Sequence, residues 1–206
     1  MIDYTKMYFP YTFGFGLAAV CFHTLWPVRY HHREWLDIEP PFMIVANHTS
    51  FFDPMIIGYG VKKHPVVFLG KRELNRSRFF RIISGWARMI PVSRGQYDME
   101  AMRSCSKVLK ENGILGIFPE GTRFHEGVMQ EIQDGFAVLA FRGRVPIVPI
   151  YISGRCRPFR KVHAMVGKPV PYDDLLEQGM NRDTIAELVR RIKECYVELI
   201  QEVKDL

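Results

Sequence analysis

Beyond Pro40-Pro41 the chain alternates short apolar runs with longer stretches in which apolar positions recur at helical spacing. Phe42 to Ala46 is wholly apolar, as expected of a strand covered on both faces. Asp53-Pro54 predicts a helix start, with Asp53 as N-cap and Pro54 at the first helical position. Val66 to Leu69 and Ile114 to Phe118 read as further buried strands, Val145 to Ile152 as one broken by prolines, and Val162 to Val166 as a fifth. Between them, Leu74 to Met89 places Phe79, Ile82, Ile83 and Trp86 at helical spacing among Arg76, Arg78, Arg81 and Arg88. Asp98 to Glu111 carries Met102, Cys105 and Leu109 on one stripe, with Gly113 as its stop. Gly135 to Phe141 predicts a helix of mostly small residues. Arg182 to Val203 predicts a long closing helix, with Ile185, Leu188, Val189, Ile192, Tyr196 and Leu199 on one face. This alternation implies a single α/β domain: a mostly parallel central sheet flanked by helices, its active site at the carboxyl ends of the strands.

The start of the chain follows a different rule. From Met7 to Val28 there is no Asp, Glu, Lys or Arg, and Tyr8, Phe9, Tyr11, Phe13, Phe15, Phe22 and Trp26 crowd the segment. Its length suffices for a hydrocarbon layer of ~30 Å at ~1.5 Å per residue. Pro10, Gly14, Gly16, His23 and Pro27 make it a poor uniform spanning helix. Its start lacks the basic cluster of a secretory signal, and no small-residue cleavage pattern follows. Arg29, His31, His32 and Arg33 flank it, which would hold the following domain on the cytoplasmic face of a membrane. The expected division is therefore an apolar, membrane-contacting helical segment over residues 1–35 and an α/β domain over residues 36–206.

Composition narrows the partners. With 206 residues and 48% apolar content the chain can bury a sizeable core, which excludes wholesale disorder. A net charge of +6 favours anionic partners. Nucleic acid is disfavoured, because acids interrupt the basic residues and no reader motif is present. The four cysteines, Cys21, Cys105, Cys156 and Cys195, are widely spaced and form no disulfide or zinc pattern. No histidines stand at metal-ligand spacing, and no Gly-x-Ser-x-Gly elbow occurs, so metal hydrolysis and serine hydrolysis lack support.

Two polar signatures follow apolar runs. In Asn47-His48-Thr49-Ser50-Phe51-Phe52-Asp53, a strand-to-helix turn can fold the Asp53 carboxylate onto one imidazole nitrogen of His48 and leave the other to accept a proton. In Phe118-Pro119-Glu120-Gly121-Thr122-Arg123, Gly121 permits close backbone approach to a ligand and Thr122 offers a hydroxyl. Arg123 presents a planar fork for phosphate, and Glu120 could orient Arg123 or a substrate hydroxyl.

These residues resemble the glycerolipid acyltransferase family, specifically its 1-acyl-glycerol-3-phosphate acyltransferases. The family's Asn-His-x-x-x-x-Asp block corresponds to Asn47 through Asp53. Lys71-Arg72-Glu73-Leu74 with Val92-Ser93-Arg94 matches the second block, although Ser93 stands where the family usually has Asp. Phe118 to Arg123 and Val145 to Pro149 complete the third and fourth. The resemblance covers roughly residues 42–170. It implies catalysis by His48, oriented by Asp53, and substrate binding by Asn47, Lys71, Arg94, Glu120, Gly121, Thr122 and Arg123. It implies no metal and no resident cofactor. The co-substrate would be an acyl thioester of coenzyme A or acyl carrier protein, the acceptor a lysophospholipid, the product phosphatidic acid, and transfer direct. The apolar start and the Arg76–Arg88 stretch would then meet an anionic membrane surface. The competing readings are acylation of glycerol 3-phosphate or another lysophospholipid, and a non-catalytic lysolipid-binding membrane protein.

Overall fold

The computed structural model describes residues 27–71, 89–92, 98–122, 129, 132–155, 157 and 159–206, with positions 13, 16, 17, 20 and 24 ahead of them; the Lys71 side chain lies outside this set. Among the described residues, seven strands form one sheet: β1 (Val28–His31), β2 (Phe42–Ala46), β3 (Val66–Lys71), β4 (Ile90–Val92), β5 (Ile114–Ile117), β6 (Ile147–Ile152) and β7 (Val162–Val166). Their spatial order is β1-β7-β6-β2-β5-β3-β4. All neighbours run parallel except β6 and β7, which are antiparallel. The expected α/β domain with a mostly parallel sheet is therefore present.

The continuous apolar runs are explained by cover on both faces. Met43 and Val45 of β2 join Leu115, Ile117 and Ile147 in one core. It is closed by α2 (Met99–Lys110), α3 (Gly135–Gly143) and α5 (Arg182–Lys204). Phe42, Ile44 and Ala46 point the other way, into a core shared with Phe68, Ile150 and Val166 and covered by α1 (Asp53–Gly60) through Ile56 and Ile57. A short α4 (Asp173–Gln178) leads into α5, whose start carries a capping box between Asn181 and Thr184. Tyr196 of α5 is buried against β2 and β6, where its hydroxyl is shared between the Val45 carbonyl (2.8 Å) and the Ile150 carbonyl (2.9 Å). Burial, and then the neighbouring Glu120 charge, hold its phenol well above the usual tyrosine range.

Several expectations are corrected. Asp53 is not an N-cap: Phe52 takes that place, Pro54 is the second helical residue, and the Asp53 carboxylate turns back along the chain. The stop after α2 is made by Asn112 in the left-handed conformation (φ 55°), with the Gly113 N–H donating to Val108. Val28–His31 forms β1 and Arg33–Leu36 a 3-10 turn, both packed into the domain. The helix expected over Leu74–Met89 lies outside the described residues, Met89 apart. Ahead of β1, Phe13, Leu17 and Val20 are helical and exposed. Among the described residues, no helix is long and apolar enough to cross a membrane.

Topology brings the expected site together. β2, β5, β3 and β4 are parallel, so their carboxyl ends share one edge. The chain leaves β2 for a helix on one face, whereas after β5 the next described helix, α3, covers the other. A crevice opens where such adjacent strands part. The floor beneath it depends on Gly116. A Cβ there would stand 2.2 Å from the Phe68 ring, and Phe68 in turn stacks on Phe118, with ring centroids 5.8 Å apart. Gly116→Ala is expected to lower stability by about 1–3 kcal/mol through overpacking, measured by urea denaturation. An unchanged midpoint would show that the aromatic floor is not close-packed.

Candidate active site

The turn after β2 is organised by one buried carboxylate. Asp53 has 0% side-chain exposure, and its Oδ2 accepts from the backbone N–H groups of Thr49 (2.6 Å) and Ser50 (2.7 Å) and from His48 Nδ1–H (2.8 Å). Oδ1 accepts from the Ser50 hydroxyl at 2.9 Å. The Thr49 hydroxyl lies between Oδ1 (3.3 Å) and the Gly154 carbonyl (3.0 Å). A charge removed from water needs such a set of donors. Because a carboxylate only accepts, the proton of neutral His48 sits on Nδ1, and the basic lone pair is on Nε2. The imidazole keeps 17% exposure. That is the arrangement of a general base with its orienting acid. The Thr49 and Ser50 N–H groups are occupied by Asp53 and do not supply oxyanion donors.

His48 is also held from outside its own turn. Its ring stacks on Phe118, with centroids 4.2 Å apart and an interplanar angle of 22°. Its backbone N–H donates to Glu120 Oε2 at 2.9 Å, while Glu120 Oε1 accepts from the Met129 N–H at 2.7 Å. Asn47 locks the turn to β6: its Nδ2 donates to the Ile152 carbonyl (3.0 Å), and its Oδ1 accepts from the Ile152 N–H (2.7 Å). Asn47 and Glu120, both expected to bind substrate, are buried, and their side chains bond to backbone groups of Ile152, His48 and Met129.

The other expected residues are placed unequally. Gly121 adopts φ 65°, the left-handed region that favours glycine, whereas the atom nearest a Cβ there, Gln133 Nε2 at 2.7 Å, is the movable end of an exposed side chain. Thr122 follows, half-buried, on the same edge of the sheet as His48. Lys71 ends β3 on that edge, and Val92 ends β4 two positions before Arg94. The side chains of Lys71, Arg94 and Arg123 lie outside the described residues. Among the described residues, no group of three or more His, Cys, Asp or Glu could hold a metal ion. Reasoning from sequence missed the Phe118 stack, although Phe118 opens the second signature.

Comparison with known proteins identifies the family. The Acyltransferase family model matches residues 27–153. The chain belongs to the acyltransferase family. Within that family it is 24% identical over 184 residues to a 1-acyl-sn-glycerol-3-phosphate acyltransferase of Bacillus subtilis, covering 87% of this chain and 91% of the relative. A Streptococcus pneumoniae protein of the same name is 26% identical over 208 residues, with 94% and 74% of the two chains covered. The crystal structure of the 1-acyl-sn-glycerophosphate acyltransferase from Thermotoga maritima superposes with a TM-score of 0.65 at 21% identity, covering 95% of this chain and 78% of that one. At that identity it establishes the acyltransferase fold alone.

The role of Glu120 has a direct test. In Glu120→Gln the amide can accept from only one of the two N–H groups, so stability should fall by roughly 1–3 kcal/mol in urea denaturation. A raised acceptor KM at unchanged stability would return Glu120 to substrate binding.

Proposed function

We propose that this acyltransferase moves a fatty acyl group from a thioester carrier, coenzyme A or acyl carrier protein, to the free hydroxyl of 1-acyl-glycerol 3-phosphate, forming phosphatidic acid. The observation that carries this reading is the His48 Nδ1–Asp53 Oδ2 bond of 2.8 Å, which fixes the tautomer a general base requires. The relatives named above are the support for the acceptor.

In the proposed reaction His48 Nε2 takes the proton as the acceptor oxygen forms its bond to the thioester carbonyl carbon. The Asp53 carboxylate stabilises the resulting imidazolium, and the face of Phe118 adds a cation–π contact. Collapse of the tetrahedral intermediate breaks the carbon–sulfur bond, and the departing thiolate recovers the proton from His48. The ester and the free thiol account for every atom. A covalent acyl-enzyme is not invoked. Of the described cysteines, Cys105 is buried with its thiol pushed up to about 12, and burial also raises that of Cys195, so neither is a ready nucleophile.

Arg123, with Lys71 and Arg94, holds the acceptor phosphate, while Gly121 and Thr122 shape the same pocket. The uncharged segment Met7 to Val28 meets the membrane on its cytoplasmic face, where a lysophospholipid resides. β1 passes from that segment directly into the sheet, which ties the anchor to the catalytic domain.

His48→Ala should reduce acyl transfer by about a hundredfold or more while the melting temperature stays near that of the parent. Retention of a substantial fraction of activity would remove His48 as the base. Arg123→Ala should chiefly raise the KM for the phosphorylated acceptor. Equal KM for that acceptor in variant and parent would reject its phosphate role.

A further inference from the structure

The catalytic edge carries a second feature that the reaction does not use. Between Asp134 and Asp173 there is no acidic residue, while Arg142, Arg144, Arg155, Arg157, Arg160, Lys161 and Lys168 all fall in that interval. Four of these cations lie in the loop joining β6 to β7, where Arg155, Arg157, Arg160 and Lys161 are all exposed. Among them stands Phe159, 79% exposed and at φ 61°, a backbone conformation that bulky L-residues rarely adopt. The turn carrying it is closed by the Arg160 N–H donating to the Arg157 carbonyl at 3.2 Å. The fold thus leaves an aromatic ring exposed in a loop of exposed cations.

The loop is fastened to the catalytic turn. Asn47 grips Ile152 at the end of β6, and the Thr49 hydroxyl reaches the Gly154 carbonyl at 3.0 Å. Because β7 runs antiparallel to β6 and parallel to β1, the amino end of β1 lies on this same edge, with the Val162 N–H donating to the Pro27 carbonyl at 3.0 Å. The base, the basic-aromatic loop and the point where the uncharged segment joins the domain therefore share one side of the molecule.

We propose that this loop, through Arg157, Phe159, Arg160 and Lys161, docks the catalytic edge onto an anionic lipid surface, with the Phe159 ring seated at headgroup level. The partner is a membrane and not a soluble anion, because cations alone would hold phosphates, whereas an exposed aromatic among them matches the mixed polarity of a bilayer interface. The inference rests on the reading that the acceptor is a lysophospholipid, and it adds an orientation: His48 faces the leaflet from which the acceptor comes.

The test uses the full chain with vesicles of phosphatidylcholine alone or with phosphatidylglycerol. Backbone hydrogen exchange over residues 153–161 should slow on the anionic vesicles, while α2, at whose carboxyl end the chain turns into the opposite edge of the sheet, should not change. Arg157→Glu/Arg160→Glu should lose that protection. Each cation near such a surface is worth roughly a fivefold change in partition, so turnover of vesicle-embedded 1-acyl-glycerol 3-phosphate should fall at least about tenfold. Turnover of a short-chain acceptor dispersed as monomer should stay within about twofold of the parent, and Phe159→Ala should show a smaller loss of the same kind. Unchanged exchange over 153–161 on anionic vesicles would overturn the proposal. So would an equal loss on vesicle-bound and monomeric acceptors, which would place these cations in a donor or acceptor pocket. If the parent turns over neither acceptor, the proposed reaction fails, and the exchange measurement still decides the loop.

Discussion

A single carboxylate with no access to water sets the geometry on which everything else at this site depends. Asp53 is surrounded by donors drawn from the five residues before it, and two of those donors are backbone N–H groups. Satisfying a buried charge in so short a stretch leaves the chain between β2 and α1 little conformational choice. His48 is one of the groups caught in that closure. Its direction and its tautomer are consequences of how the charge is satisfied, more than of any contact made by the ring itself.

The turn is fixed from farther away as well. Asn47 ties it to β6, and Glu120 ties it to the segment after β5, so His48 is held from the strands on each side of β2. Beneath the imidazole, a column of Phe118 and Phe68 fills the space left by Gly116. Polar clamps and an aromatic floor give an imidazole that is firmly placed yet still reachable. Rigid placement is what lets an imidazole act on a hydroxyl delivered to it.

Much of this was legible in the sequence, and the boundary of legibility has physical causes. The strands over Phe42–Ala46 and Val162–Val166 stood out because sheets covered on both faces leave unbroken apolar runs. The His48–Asp53 pair was legible because it is local. Two edge strands were not. β1, Val-Arg-Tyr-His, looks like the basic flank of an apolar segment, and β4 is only Ile-Pro-Val, with a proline that is tolerated because the strand lies at the rim. The backbone partners of Asn47 and Glu120 were not legible for a different reason. Their partners lie 105 and 72 positions away in the chain, and no local pattern announces whether a polar side chain will meet a ligand or a distant backbone. The antiparallel turn of β7, which brings the basic loop and β1 to the catalytic edge, is likewise a fact of topology.

The central claim is that His48 is held as the Nδ1–H tautomer by a buried carboxylate. Nitrogen-15 NMR of the imidazole at neutral pH reads it directly. A protonated Nδ1 with slow solvent exchange, converted to the other tautomer or to rapid averaging in Asp53→Ala, is the predicted result. A proton resident on Nε2 in the parent protein, or a spectrum indifferent to the loss of Asp53, would contradict it.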